Sequence, residues 1–215
     1  DPDPSEQSTH QKKYSFDLDV HDLVNLWKDP PEGSYPVLDR EGRNTNYLVP
    51  APLVADEIPQ YATEYPNKRL IIHLLEPHAP YLGTKIGDEI HKKSDHPWQD
   101  KLHKKVDIPK RTLRDAYQQK LDVGVRGVKK ILNEVDGKTV VTADHGEMLW
   151  ERAYPVPIID ILHPDQVYID SLVRVPWLII DGDRKDIVTE DPDEPRHQQS
   201  NEHINNQLQA LGYQA

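Results

Sequence analysis

The chain contains no cysteine, one methionine and one phenylalanine among its 215 residues, and Lys+Arg number only 26 against 37 Asp+Glu. Without cysteine there is no disulfide framework, no thiolate zinc site and no cysteine nucleophile. The formal charge of −11 argues against nucleic acid as a partner, because phosphate binding needs a clustered basic surface. The densest basic stretch, Lys101 to Arg114, is interrupted by Asp107. No run of apolar residues approaches the roughly 18 that a membrane helix needs, which excludes a span in this chain. There is also no Asn-x-Ser/Thr acceptor and no signal-like segment, and a cytoplasmic location is the expectation. Sequence signatures for a serine-nucleophile elbow, a P-loop, a dinucleotide-binding glycine motif and a zincin helix are all missing.

What is present reads as one domain with a polar lead-in. Residues 1–20 lack any apolar period and open on two Asp-Pro pairs, so they are expected to be a mobile lead-in, with a single domain over 21–213. His21 to Lys28 predicts a short helix ended by Pro30-Pro31, and residues 29–49 predict loop. A helix punctuated by proline is expected from Pro50 to Tyr65, with Pro59 bending or breaking it. Arg69 to Leu75 is a short apolar run of the kind that forms a strand buried on both faces. Residues 83–110 predict a polar loop. Leu113, Tyr117, Leu121, Val125, Val128, Leu132 and Val135 then recur at helical spacing and predict a long amphipathic helix over 110–135, with Gly137 at its C-terminal end. Strands are expected over 138–143 and 172–180, with Pro176 marking an edge or a bulge, and a closing helix over 204–211.

A strand, a helix and a strand in succession predict a βαβ crossover and a mostly parallel α/β sheet, whose functional residues gather beyond the carboxyl ends of the strands. Two polar motifs fall at such ends: Glu76-Pro-His-Ala-Pro-Tyr81 and Asp144-His-Gly-Glu147. Past a strand end, Asp144 and His145 can converge on one cation through a hard oxygen and a neutral imidazole nitrogen. The plainer reading is an Asp capping the following helix beside an exposed His. His78, between two prolines, is either a preset donor to an anionic oxygen or an ordinary loop histidine. His73 reads as a core histidine. His163, before Pro164 in a loop expected over 150–170, is a further candidate ligand, and His91, His96 and His103 read as solvated.

The order of these stretches resembles the sulfatase-like branch of the alkaline phosphatase superfamily, in its short archaeal-type members. The matching segments are RLIIHLLEPHAPYLG at 69–83, GKTVVTADHGEMLWER at 137–152, HP at 163–164, LVRVPWLII at 172–180 and LQALGY at 208–213. The resemblance implies a three-layer α/β/α fold with a mostly parallel sheet, and a divalent metal (zinc, manganese or calcium) at the active site. It implies that Asp144 and His145 are metal ligands, that His163 is a further ligand, and that His78 contacts the sulfate or phosphate group as a substrate-binding and catalytic residue. The Gly that usually precedes the third His is absent, Ile161-Leu162 standing there instead. Nothing in residues 1–68 resembles the family's first strand or its nucleophile element, so the nucleophile is unidentified. The expected function is therefore a metal-dependent sulfuric- or phosphoric-ester hydrolase that is incomplete as this chain, with a small ester as substrate and a complementing N-terminal segment as partner. The alternatives are a non-catalytic sulfatase-like binding protein and a transferase of phosphorylated head groups.

The charge excess generates a first prediction. Screening relieves self-repulsion among like charges, so the fold should melt higher at 1 M KCl, where the screening length is about 3 Å, than at about 0.05 M. Equal midpoints in thermal scans at the two salt concentrations would reject it.

Overall fold

A computed structural model of the chain describes residues 20–38, 44–152, 159–164 and 167–189. The polypeptide divides into two units, Leu26–Val188 and a second made of Asp1–Asn25 with Thr189–Ala215. The lead-in expected over 1–20, save its last residue, and the closing helix expected over 204–211 lie outside the described residues. In the first unit the elements are β1 (Tyr35–Leu38), β2 (Asn44–Leu48), α1 (Ala51–Glu64), α2 (Lys85–His91), α3 (Pro97–Leu102), α4 (Lys110–Glu134), β3 (Thr139–Thr142), β4 (Met148–Arg152), β5 (Ile159–Leu162), α5 (Asp170–Val173) and β6 (Trp177–Ile180). The chain is a mixed α/β protein. Among the described residues, no helix is long and apolar enough to cross a membrane.

The two long helices form where their spacing predicts. Helix α1 retains Pro59 and carries proline in its first turn, where a missing N–H costs nothing. Its Val54, Ala55 and Ile58 bury against Val49 and against Ile131 of α4, with Leu26, Trp27, Ile72 and Leu74 around them. Leu26 and Trp27 thus reach the core from a single turn over residues 26–28 rather than from a helix. On the outside, Lys130 of α4 pairs with Asp56 of α1.

The buried face of α4 is rotated from the expected apolar stripe. Leu113, Ala116, Lys120, Val123, Gly124, Gly127 and Ile131 are buried, whereas Leu121 and Val125 are exposed at 37% and 42%. Gly127 lies on the buried line where α1 comes very close. A Cβ on Gly127 would meet the Ala51 Cβ at 2.5 Å and its carbonyl carbon at 2.6 Å.

The sheet differs from the parallel arrangement expected. Among the described residues all three strand pairs are antiparallel and two-stranded: β1 with β2, β3 with β6, and β4 with β5. Residues 69–75 form no strand. Ile72, Leu74 and Leu75 are half-buried, Ile72 and Leu74 packed inward, while Arg69, Leu70, Ile71 and His73 are exposed, Ile71 at 90%; the apolar pattern of the run specified partial burial without supplying a neighbouring strand. The helix over 110–134 therefore does not join two parallel neighbours, since β3 pairs with β6 through Val140–Ile179 and Val141–Leu178. Within 172–180 the first residues close α5 and only Trp177–Ile180 is strand, so Pro176 stands just before it, where a ladder N–H is not yet required.

Three segments read as loop hold regular structure. The Pro- and Gly-rich 29–49 contains the β1–β2 hairpin. Residues 83–110 contain α2 and α3. The Thr84 hydroxyl caps α2 by accepting the Gly87 N–H at 3.0 Å, and Pro97 opens α3. Residues 150–170 contain most of the β4–β5 pair.

The close α1–α4 approach makes Gly127→Ala a direct test of this packing. Alanine gains about 1 kcal/mol of helix propensity over glycine. Against that, the clash with α1 backbone costs about 1–3 kcal/mol or more, as overpacked cores do. Urea denaturation should show a net loss of stability; a variant as stable as the parent would contradict the packing.

Candidate functional site

An apolar cluster underlies every element of the site. Tyr81, Ile90, Trp98, Ile108, Leu113, Ala116 and Ile161 are buried together, with Leu149, Trp150 and Leu162 packed on them. Tyr81 ends the loop that carries His78, Leu149 and Trp150 follow Glu147, and Leu162 precedes His163. One hydrophobic nucleus thereby fixes three chain segments. Within it the Trp98 Nε1–H donates to the Tyr81 hydroxyl at 2.5 Å.

The hairpin register does the next step. β4 pairs with β5 with Met148 opposite Leu162, so the residues just beyond, Glu147 and His163, fall opposite one another. The His163 Nδ1 lies 3.6 Å from the Glu147 Oε1, with side chains only 16% and 9% exposed. A bulge interrupts the pair at Trp150, whose φ of 79° is a left-handed conformation costly for a bulky residue. His145, two residues before Glu147, lies against His163 with ring centroids 4.2 Å apart and planes tilted by 40°, and the His78 ring lies 6.1 Å from that of His163. Three histidines from three separate stretches thus gather in one place.

Their tautomers follow from their partners. The Nδ1 of His145 is hydrogen-bonded to the Gly146 carbonyl at 2.8 Å, and that of His78 to the Ala79 carbonyl. A carbonyl oxygen only accepts, so in both rings Nδ1 carries the proton and Nε2 the lone pair. Anchoring one ring nitrogen on a backbone carbonyl is how proteins set the other as a metal ligand. The His145 Nε2 lies 3.7 Å from the Asp144 Oδ2, a gap that one cation can bridge with bonds of about 2.0–2.2 Å. The Asp144 Oδ1 meanwhile accepts the His145 N–H at 2.9 Å. Asp144 caps that amide, not a helix, because strand β4 follows. Among the described residues no group of three or more His, Cys, Asp or Glu side chains is arranged to hold a metal ion.

Gly146 serves this geometry through close approach. Its N–H donates to the Leu172 carbonyl at 2.8 Å, and a Cβ there would sit 2.0 Å from the Ser171 carbonyl oxygen. Residues 171–172 are therefore pressed against the motif and hold it.

Glu147 was not singled out by sequence reasoning, although its place in Asp-His-Gly-Glu was the available signal. Its charge, together with that of Glu151, adds to burial in pushing the Tyr117 phenol up to about 12. Burial, the larger effect, also raises Tyr81, against the hydrogen bond from Trp98. The buried pair of Glu76 and Lys120 was also missed; Glu76 closes the apolar run and Lys120 interrupts the helical one. Of the remaining histidines, His73 is exposed, contrary to the core role expected, because its side of the extended run faces away from Ile72 and Leu74. His96 and His103 are exposed as expected, while His91 is half-buried and lies 3.4 Å from Asp95.

No protein-family model, no curated protein and no solved structure matches this chain.

The raised tyrosines generate a pH prediction. Tyr117 ionises near pH 10 when unfolded and near 12 when folded, so its contribution is whole below about pH 10 and is lost as pH rises toward 12. Tyr117→Phe should flatten that alkaline decline in the urea midpoint. Parallel pH profiles for the two proteins would count against burial of this phenol.

Proposed function

We propose that the chain carries part of the active site of a metal-dependent sulfuric- or phosphoric-ester hydrolase of the sulfatase and alkaline phosphatase type, acting in the cytoplasm on a small ester. The observation that supports this reading is the gathering of His78, His145 and His163, with ring centroids 4.2 Å apart for the second pair and 6.1 Å for His78 and His163. The sequence resemblance implies one site for these residues on independent grounds.

In this reading the Asp144 Oδ2 and the His145 Nε2 hold a divalent cation such as zinc, manganese or calcium, with His163 alongside. When bound, such an ion polarises an ester oxygen and stabilises the charge that builds as the ester bond breaks. Glu147 orients the His163 ring from 3.6 Å away. The His78 Nε2, aimed by the Ala79 carbonyl, binds an oxygen of the anionic group when protonated and passes that proton to the leaving group. The nucleophile comes from a complementing segment, since none of these side chains fits that role.

A finer architecture goes with the reading: a three-layer α/β/α fold with a mostly parallel sheet, in which residues 69–75 become a strand. The exposed Ile71, Trp177, Leu178 and Ile179 are apolar side chains that such a sheet and its covering layer bury.

Calorimetric titration with Zn²⁺ and with Mn²⁺ tests the proposal, because a catalytic zinc normally takes three protein ligands and this chain offers two or three. Binding should be weak, and Asp144→Ala should weaken it at least tenfold further. His78→Ala should leave it unchanged. The chain alone should not turn over aryl sulfates or aryl phosphates. Tight binding indifferent to Asp144→Ala places the metal elsewhere, and robust turnover by the chain alone overturns the assignment of the nucleophile to another segment.

A further inference from the structure

We infer that Lys120 is a positioning residue for His78, its ammonium clamping both ends of the loop that carries the histidine. Lys120 sits on the buried face of α4 with its side chain 1% exposed, and so does its partner Glu76 at 1%. Its Nζ donates to the Glu76 Oε1 at 3.2 Å and to the Leu82 carbonyl at 3.2 Å. Those acceptors stand at the two ends of segment 76–82, and His78 lies between them. The same Glu76 Oε1 accepts the Ala51 N–H at 3.3 Å, which ties the clamp to the first residue of α1.

The loop is also bonded to itself and to its immediate flanks. The His78 N–H donates to the Leu75 carbonyl at 2.9 Å, the His78 Nδ1–H to the Ala79 carbonyl, and the Thr84 hydroxyl to the Tyr81 carbonyl at 3.1 Å. None of these bonds spans the loop from end to end. Lys120 does. A buried ion pair is a poor device for stability alone, because an apolar pair of similar volume often does as well or better. An apolar side chain cannot hold a carboxylate and a carbonyl at once. The Glu76 Oε2, buried without a hydrogen bond, is a further unfavourable element that a purely structural contact would have no reason to retain.

This inference rests on the hydrolase reading for what His78 does, but its test reads the loop directly. In ¹⁵N-labelled protein, Lys120→Met and, separately, Glu76→Gln should speed amide exchange at His78 at least tenfold. Core amides of α4, such as that of Ile131, should change less. Long-range imidazole spectra should show His78 leaving its Nδ1–H tautomer while His145 keeps its own. Inorganic sulfate should bind several-fold more weakly to either variant, with Zn²⁺ affinity unchanged. The double variant Lys120→Met/Glu76→Leu should regain the melting temperature without regaining loop protection. Uniform acceleration of all amides in the single variants overturns the inference. So does full recovery of the His78 tautomer and protection in the double variant. Absence of both Zn²⁺ and sulfate binding in the parent chain sinks the hydrolase reading instead, and the exchange data still decide the clamp.

Discussion

Two opposite charges withdrawn together from water set the geometry at the junction of α1, α4 and segment 76–82. Lys120 and Glu76 are each 1% exposed, and neither could be buried at that depth alone without a large desolvation cost. Their mutual contact obliges α4 to lie where Lys120 reaches the loop, and the Ala51 N–H obliges α1 to start where it meets the same carboxylate. The same two helices approach narrowly over Gly127, where a Cβ would meet Ala51. Apolar packing on either side then fills the volume that the charges have defined, with Tyr81, Trp98 and Leu113 in one cluster and Val54, Ile58 and Ile131 in the other.

The candidate site is assembled by local devices more than by sheet architecture. A two-stranded antiparallel pair brings Glu147 opposite His163 through register alone. Backbone carbonyls one residue on, at Ala79 and Gly146, fix which nitrogen of His78 and of His145 keeps its lone pair. Both devices need few residues, so short motifs can carry them. The same economy holds for Asp144 and His145, neighbours in sequence whose Oδ2 and Nε2 lie 3.7 Å apart.

Legibility in the sequence tracked how local each determinant is. The helix over 110–134 announced itself because its apolar spacing is a property of the helix, and α1 did so despite Pro59. Its buried face could not be read, because Ala116, Gly124 and Gly127 are matched to different neighbours, the Tyr81 cluster, Glu76 and Ala51, which is a tertiary fact. No parallel pair is seen among the described residues for a related reason: the apolar run 69–75 specifies partial burial, and pairing is decided by a partner that sequence pattern does not name. The helices after Thr84 and Pro97 were hidden by a polar composition, although their capping signals were present. At the site, motif residues were found by their chemistry at the ends of apolar runs. Glu147, Glu76 and Lys120 escaped because a charged residue in an ordinary position gives no sign of burial until its partner is known.

The β3–β6 pair has a consequence for how copies of the chain behave together. It is a two-stranded ribbon, and Trp177, Leu178 and Ile179 stand 67%, 54% and 47% exposed along it. Open strand edges flanked by apolar side chains template pairing with another molecule. What opposes that encounter is the long-range repulsion between molecules that each carry a formal charge of −11. Dissolved salt then has two opposed effects. The ions that ease crowding of like charges within one molecule also lower the barrier that keeps two ribbons apart, so conditions that favour the folded chain also favour its self-association.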